Sequence, residues 1–201
     1  MSARSEVNPS DTRERLLRAA ADMFLTDGYG ASMDGIAARA KVAKQTLYNH
    51  FTGKEALFGE VVRNATHGIL VALDSNASDL RTSLIQFANA YRAATLSLAG
   101  IAIFRTLSAE SQRFPALARA LYAVGPGQTL RQLSMFLDQN MRAGRLRRDD
   151  SVLAAELLLG MLTTTERIRC LLGVADPLRE LDQSKGAQIV DTFLRAYTPV
   201  H

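Results

Sequence analysis

The sequence predicts an all-α protein: an N-terminal helix-turn-helix unit followed by a longer helical bundle. Three observations carry this expectation. Ala (30) and Leu (28) together supply 58 of the 201 residues, whereas the strand-favouring Val (10) and Ile (7) supply 17. Apolar residues recur at three- and four-residue intervals through most of the chain. Helix breakers are closely spaced up to residue 54 and more widely spaced from residue 74 onward. Hydrophobic types at 47% and charged types at 22% suit a folded core, and the length allows one or two domains.

Residues 1–10, with Arg4 and Pro9, read as a loose arm. Asp11 and Glu14 have capping-box spacing and open a helix whose inner residues are Leu16, Leu17, Ala20, Met23 and Phe24, ending at Asp27-Gly28. Ser32 caps a second, short helix with Ile36, Ala37 and Ala40 inward, and a third carries Leu47 and Phe51. Thr52 and Glu55 form another capping box and launch a fourth helix through Leu57, Phe58, Val61 and Val62 to about Leu73.

Asp74-Ser75-Asn76 reads as a linker, so the expected division is an arm at 1–10, a helix-turn-helix domain at 11–73 and a second helical domain at 74–201. Breaks at Gly100, Pro115, Gly125-Pro126-Gly127, Gly144, Asp149-Asp150 and Asp176-Pro177 leave helices at about 78–98, 101–112, 115–143, 151–172 and 184–197. Residues 152–162 are apolar on nearly every side except at Glu156, which calls for another chain or a thick bundle around them.

The net charge of +4 is modest, but residues 35–54 hold Arg39, Lys41, Lys44 and Lys54 and no acid, so that one stretch carries the whole formal excess. No apolar run reaches membrane-spanning length and no signal peptide is visible, so a cytoplasmic protein without a membrane partner is expected. The single Cys170 excludes an intramolecular disulfide, and no Cys and His spacing suggests a metal site. It reads as a core or interface thiol, with a redox sensor as the competing reading.

The short helix, turn and short helix at 32–51 have the arrangement of a helix-turn-helix DNA reader. With Leu47 inward and 100° per residue, Phe51 falls beside it, Gln45 and Asn49 point nearly opposite, and Thr46 and Tyr48 flank them. Amides and hydroxyls on that outer face suit base edges or phosphate oxygens. Lys54 falls in the first turn of the fourth helix, where free N–H groups already favour a phosphate.

Over residues 11–65 the chain resembles the TetR-type (TetR/AcrR) bacterial transcriptional regulators. The resemblance rests on Arg15-Leu16-Leu17 to Phe24, Gly28-Tyr29, Ser32, Ile36-Ala37, Val42, Thr46-Leu47-Tyr48-Asn49-His50-Phe51 and Lys54-Glu55-Ala56-Leu57. It implies DNA contacts by Lys44, Gln45, Thr46, Tyr48, Asn49, His50 and Lys54, with Ser32 as cap and phosphate contact. Two positions depart from the family pattern: Lys41 stands where Gly is usual, and Ala43 where Ser or Thr is usual. Further on, Glu110-Ser111-Gln112-Arg113-Phe114-Pro115, Leu117-Ala118-Arg119 and Gly144-Arg145-Leu146 resemble the AefR-like group. That implies a helical domain for ligand binding and dimerisation.

Tyr91, Phe104, Glu110, Tyr122, Met161 and Thr165 are the candidate effector contacts, although aromatic and Met residues at helical spacing are commonly plain core. The polar run Thr163 to Arg167 interrupts the most apolar helix and either meets a ligand or satisfies itself. The expected function is a homodimeric, ligand-responsive repressor that binds a palindromic DNA operator and is released by a small-molecule effector. The alternative is a helical protein-interaction module that reads no DNA. An enzyme is not expected, since paired carboxylates, an activated nucleophile and a phosphate-binding glycine loop are all missing, and His50 has no carboxylate near it in sequence. No cofactor is called for.

Overall fold

The computed structural model describes residues 9–71, 73, 79–176 and 182–199, which form ten α-helices, one 3-10 turn and no strand. In chain order these are α1 (Pro9–Asp27), the turn Gly28–Gly30, α2 (Met33–Arg39), α3 (Lys44–His50), α4 (Lys54–Val71), α5 (Leu80–Thr95), α6 (Leu98–Glu110), α7 (Pro115–Val124), α8 (Pro126–Arg142), α9 (Ser151–Leu171) and α10 (Gln183–Ala196). The linker at Asp74-Ser75-Asn76 and residues 1–8 of the arm lie outside the described residues.

The apolar spacing delivers two cores. The first gathers Leu16, Leu17, Ala20 and Phe24 of α1, Ile36 and Ala37 of α2, Leu47 of α3, Phe51, and Leu57, Phe58, Val61 and Val62 of α4. Leu117 and Leu121 of α7 complete it, so α7 packs with the first four helices although it follows them by more than 40 residues. The second core runs from Ile69 at the end of α4 through Leu84 and Phe87 of α5, Leu133 and Leu137 of α8, and Ala154, Leu158 and Leu162 of α9 to Val190 and Phe193 of α10.

Several boundaries differ from the sequence reading. α1 is already helical at Pro9, the first described residue, so the helix reaches into the stretch expected as a loose arm. α4 starts one residue later than a Thr52 capping box requires: the Gly53 carbonyl accepts from Leu57 N at 3.1 Å. Gly100 is not a break. The bend of 63° falls between α5 and α6, Ser97 caps α6 by accepting from Gly100 N at 2.9 Å, and a Cβ on Gly100 would stand 2.1 Å from the Ala94 carbonyl oxygen. The segment 115–143 is two helices with the corner at Gly125, where a Cβ would come within 2.9 Å of Val62. α9 is buried on one side only, because Val152, Leu153 and Leu157 are each about half exposed within the chain.

Lys41 answers the question raised by its missing glycine. It adopts φ +54°, and the turn after α2 closes with Lys41 N donating to Ala38 O and Val42 N to Ala37 O, both at 3.0 Å. These are the paired bonds of a Schellman stop, made here with a side chain in the left-handed region. Arg15 of α1 donates to the exposed carbonyls of the same turn, Ala40 O at 2.6 Å and Lys41 O at 3.0 Å.

Candidate nucleic-acid interface

The α2–α3 pair is held from beneath by Ile36, Ala37, Leu47 and Phe51, which are all buried, so the outer face of α3 is fixed in direction. Gln45, Tyr48 and Asn49 are exposed on that face, and Thr46 and His50 are half-buried at its flanks. Ser32 caps α2 as expected, its Oγ accepting from Gly35 N at 3.0 Å. α3 has no side-chain cap, since Ala43 occupies the cap position.

Besides Ser32, four of the expected contact residues have hydrogen-bond partners within the chain. Gln45 Nε2 donates to Asn49 Oδ1 at 3.1 Å, so the two amides form a joined platform that leaves the Gln45 carbonyl oxygen and the Asn49 amide hydrogens for an outside partner. Lys44 is fixed by Asp34, with Nζ 2.8 Å from Oδ1 and 3.0 Å from Oδ2, and this hydrogen bond and charge raise the lysine pKa. Lys54 turns toward the protein: Nζ donates to Tyr29 O at 2.8 Å and stands 4.9 Å from the centre of the Tyr29 ring.

The acid-free run of 35–54 is therefore less bare in space than in sequence. Asp34, one residue before the run, meets Lys44, and Asp22 of α1 meets Arg39 at 3.1 Å. Neither pairing is visible from local spacing, because the partners are ten and seventeen residues apart. The only available signal was that the run is bounded by acids at both ends, Asp34 and Glu55.

Tyr29 joins this unit to the rest. Its ring lies among Phe24, Phe58 and Phe114, at centroid separations of 6.5, 5.7 and 5.9 Å. Burial, followed by the nearby charges of Glu55 and Glu110, pushes its hydroxyl pKa up. Glu110 thus sits at the junction with the first core and not beside the other candidate effector contacts. Those do not converge as a set. Tyr122 and Thr165 are exposed, and Met161 packs against the second core. Tyr91 and Phe104 share one neighbour, Arg167, whose guanidinium carbon is 4.1 Å from the centre of the Phe104 ring and whose charge acts on the buried Tyr91 hydroxyl.

Sequence reasoning missed the polar centre of the second core. Arg92 of α5 is 1% exposed and donates from one Nη to Leu162 O and to Glu166 Oε2, each at 2.7 Å, while Lys185 of α10 also pairs with Glu166. Burial pushes the Glu166 pKa up, but the hydrogen bonds from Arg92 and Lys185 outweigh it and hold the carboxyl below its ordinary value. Glu166 belongs to the polar run flagged in α9, and its partners come from α5 and α10, not from the run itself. Cys170 is buried.

Comparison with known proteins agrees with this arrangement. The family profile "Bacterial regulatory proteins, tetR family" matches residues 16–61, and that of the "AefR-like transcriptional repressor, C-terminal domain" matches residues 82–199. The uncharacterized HTH-type transcriptional regulator YdgC of Bacillus subtilis (strain 168) is 26% identical, with 94% of each chain covered. A protein from Mesorhizobium loti MAFF303099 assigned to the TetR family superposes with a TM-score of 0.77 at 28% identity, covering 96% of this chain and all of that one. The flavonoid-responsive regulator FrrA superposes with a TM-score of 0.70 at 32% identity over the same shares. The chain belongs to the TetR family of bacterial transcriptional regulators, with a C-terminal domain of the AefR-like type.

Proposed function

We propose that this regulator is a cytoplasmic, ligand-responsive repressor that binds a palindromic operator as a homodimer and releases it when a small molecule enters its C-terminal helices. The observation that carries the DNA-reading part is the outer face of α3, where Gln45 and Asn49 stand exposed nearly opposite the buried Leu47, with the exposed Tyr48 at their flank. Ser32, Lys44, Gln45, Thr46, Tyr48, Asn49, His50 and Lys54 are its proposed contact residues, with Lys54 acting largely through the position it gives the Tyr29 turn. The AefR-like repressor profile supports the sign of regulation, and FrrA, a flavonoid-responsive relative, supports response to a ligand.

Two-fold symmetry fits the exposed apolar stripe of α9. Leu153, Leu157 and Ile168 are 48%, 49% and 56% exposed within the chain and fall at helical spacing along one side. A copy of the chain packed there pairs two α3 helices with two half-sites. The proposed functional division falls at the end of α4, near residue 73, with α7 packed into the first core.

A salt-titrated mobility-shift assay on genomic fragments tests the reading. Specific fragments should be retained over random DNA, with affinity falling steeply as salt rises. Sedimentation should give two chains for the native protein and one for Leu157→Glu. A monomer at micromolar concentration, or binding indifferent to salt, refutes it and leaves the protein-interaction module as the better account.

A further inference from the structure

The acid-free run of 35–54 leaves one lysine uncommitted. Lys44 is held by Asp34 and Lys54 by the Tyr29 carbonyl, but Lys41 is exposed and has no acid partner among the described residues. It opens onto a shallow cleft of about 410 Å³ between α1 and the end of α2, which Arg15, Arg18 and Arg39 also line and where Asp22 is the single acid. Asp22 offsets Arg39, and Glu14 lies 3.4 Å from Arg18, so the charges of Arg15 and Lys41 stand unbalanced.

Both of these cations are held in place. Arg15 is half-buried, and its Nη2 donates to Ala40 O and Lys41 O, which leaves the donors of Nε and Nη1 for another group. Lys41 is the one residue other than glycine with a positive φ among the described residues. Backbone strain kept beneath a charged side chain points to a use for that charge, because Gly makes the same turn without strain. The site also has a direction. The N-terminal end of a recognition helix is the end that approaches the bases, and the helix before it crosses the phosphate backbone. Lys41 precedes the first residue of α3 by three positions, a span of at most roughly 11 Å, within the ~12 Å width of a major groove.

We propose that this cleft holds a backbone phosphate of the operator at the rim of the groove that α3 reads, with Lys41 and Arg15 as the binding cations and Arg18 and Arg39 beside them. The inference rests on the DNA-reading function above and extends its contact set to α1 and the α2–α3 turn. A phosphodiester carries one negative charge, which the unbalanced pair meets, and the forked donors of a guanidinium match its oxygens. Such a contact positions the protein and carries no sequence information. Because Arg15 also binds the carbonyls of the turn, a phosphate held there is tied directly to the segment that enters α3.

Fluorescence anisotropy of the full-length protein on a mixed-sequence DNA duplex, across a range of salt concentrations, tests the proposal. Lys41→Gly keeps the turn and removes the charge. It should weaken binding severalfold at low salt and lower the slope of log affinity against log salt by about one for each chain that engages the duplex. Lys41→Arg should restore both, and Asp22→Asn, which removes the one acid of the cleft, should strengthen binding. Arg148→Gln, at an exposed cation just before α9, should leave the slope unchanged. Thermal melts of each variant establish that it is folded. A slope in Lys41→Gly equal to that of the native protein, or a loss no larger than in Arg148→Gln, overturns the proposal. An unchanged slope with tight uptake of inorganic pyrophosphate by the free protein also overturns it and assigns the cleft to a soluble phosphate. Salt-dependent binding by the native protein with no effect of Lys41→Gly defeats this contact alone, whereas a native protein that does not bind DNA defeats the DNA-reading function with it.

Discussion

The side-chain amides of Gln45 and Asn49 are hydrogen-bonded to each other across one turn of α3, Nε2 to Oδ1 at 3.1 Å, so the two side chains form one surface. Replacing either by Ala frees the other to rotate. We expect each single substitution to relax preference at a base pair in each half-site, by about 1–3 kcal/mol of discrimination. The double substitution should cost clearly less than the two single costs added together. Competition among operator variants measures this, and strict additivity shows that the amides act independently.

Asp34 restrains Lys44 and offsets its charge. Asp34→Asn should raise affinity for operator and random DNA alike, by several-fold at low salt, with the gain shrinking as salt rises. Helix α2 should weaken slightly at the same time, because Asp34 lies in its first turn. Fluorescence anisotropy at two salt concentrations checks this; unchanged random-DNA affinity means that Lys44 does not lie near phosphate.

Lys41 holds a left-handed backbone conformation that disfavours a side chain by roughly 1–2 kcal/mol. Lys41→Gly keeps both bonds of the turn and removes that cost. The melting temperature should rise by about 2–4 °C, as a gain near 1 kcal/mol gives in a chain of this size. A fall would show that the lysine side chain contributes more than its backbone costs.

Glu166 makes stability depend on pH in a definite direction. Its carboxyl is held below the ordinary value in the folded protein, so the unfolded chain takes up a proton first as acid is added. The contribution is full above the ordinary carboxylate range and is lost as pH falls through the depressed value. Glu166→Gln leaves Arg92 buried without its acid and should cost about 3 kcal/mol near neutrality. Urea unfolding of both proteins should show that difference narrowing toward low pH; a constant difference contradicts the assignment.

These expectations also mark what could be seen in the sequence. Leu47, Phe51 and the opposing amides followed from helical spacing alone, and Ser32 from its place before an apolar run, because those relations span four residues or fewer. The partners of Lys44, Lys54 and Arg92 lie 10, 25 and 74 residues away, and no local pattern encodes them. Gly100 and Gly125 each drew notice as breakers, yet both are set by a close approach to another segment, the Ala94 carbonyl and Val62 respectively. The effector candidates failed to converge for a related reason: size and aromaticity mark what is buried, not which cleft it borders.

Leu117 and Leu121 of α7 bury themselves among the first four helices. A reading head excised after α4 thus lacks part of its own interior and exposes the apolar wall those leucines cover. Exchanging sensors between relatives then has a practical rule: α7 must travel with the head, or the incoming sensor must bring an equivalent pair of leucines. In this architecture the unit that can be inherited whole is not the unit that is contiguous in the chain.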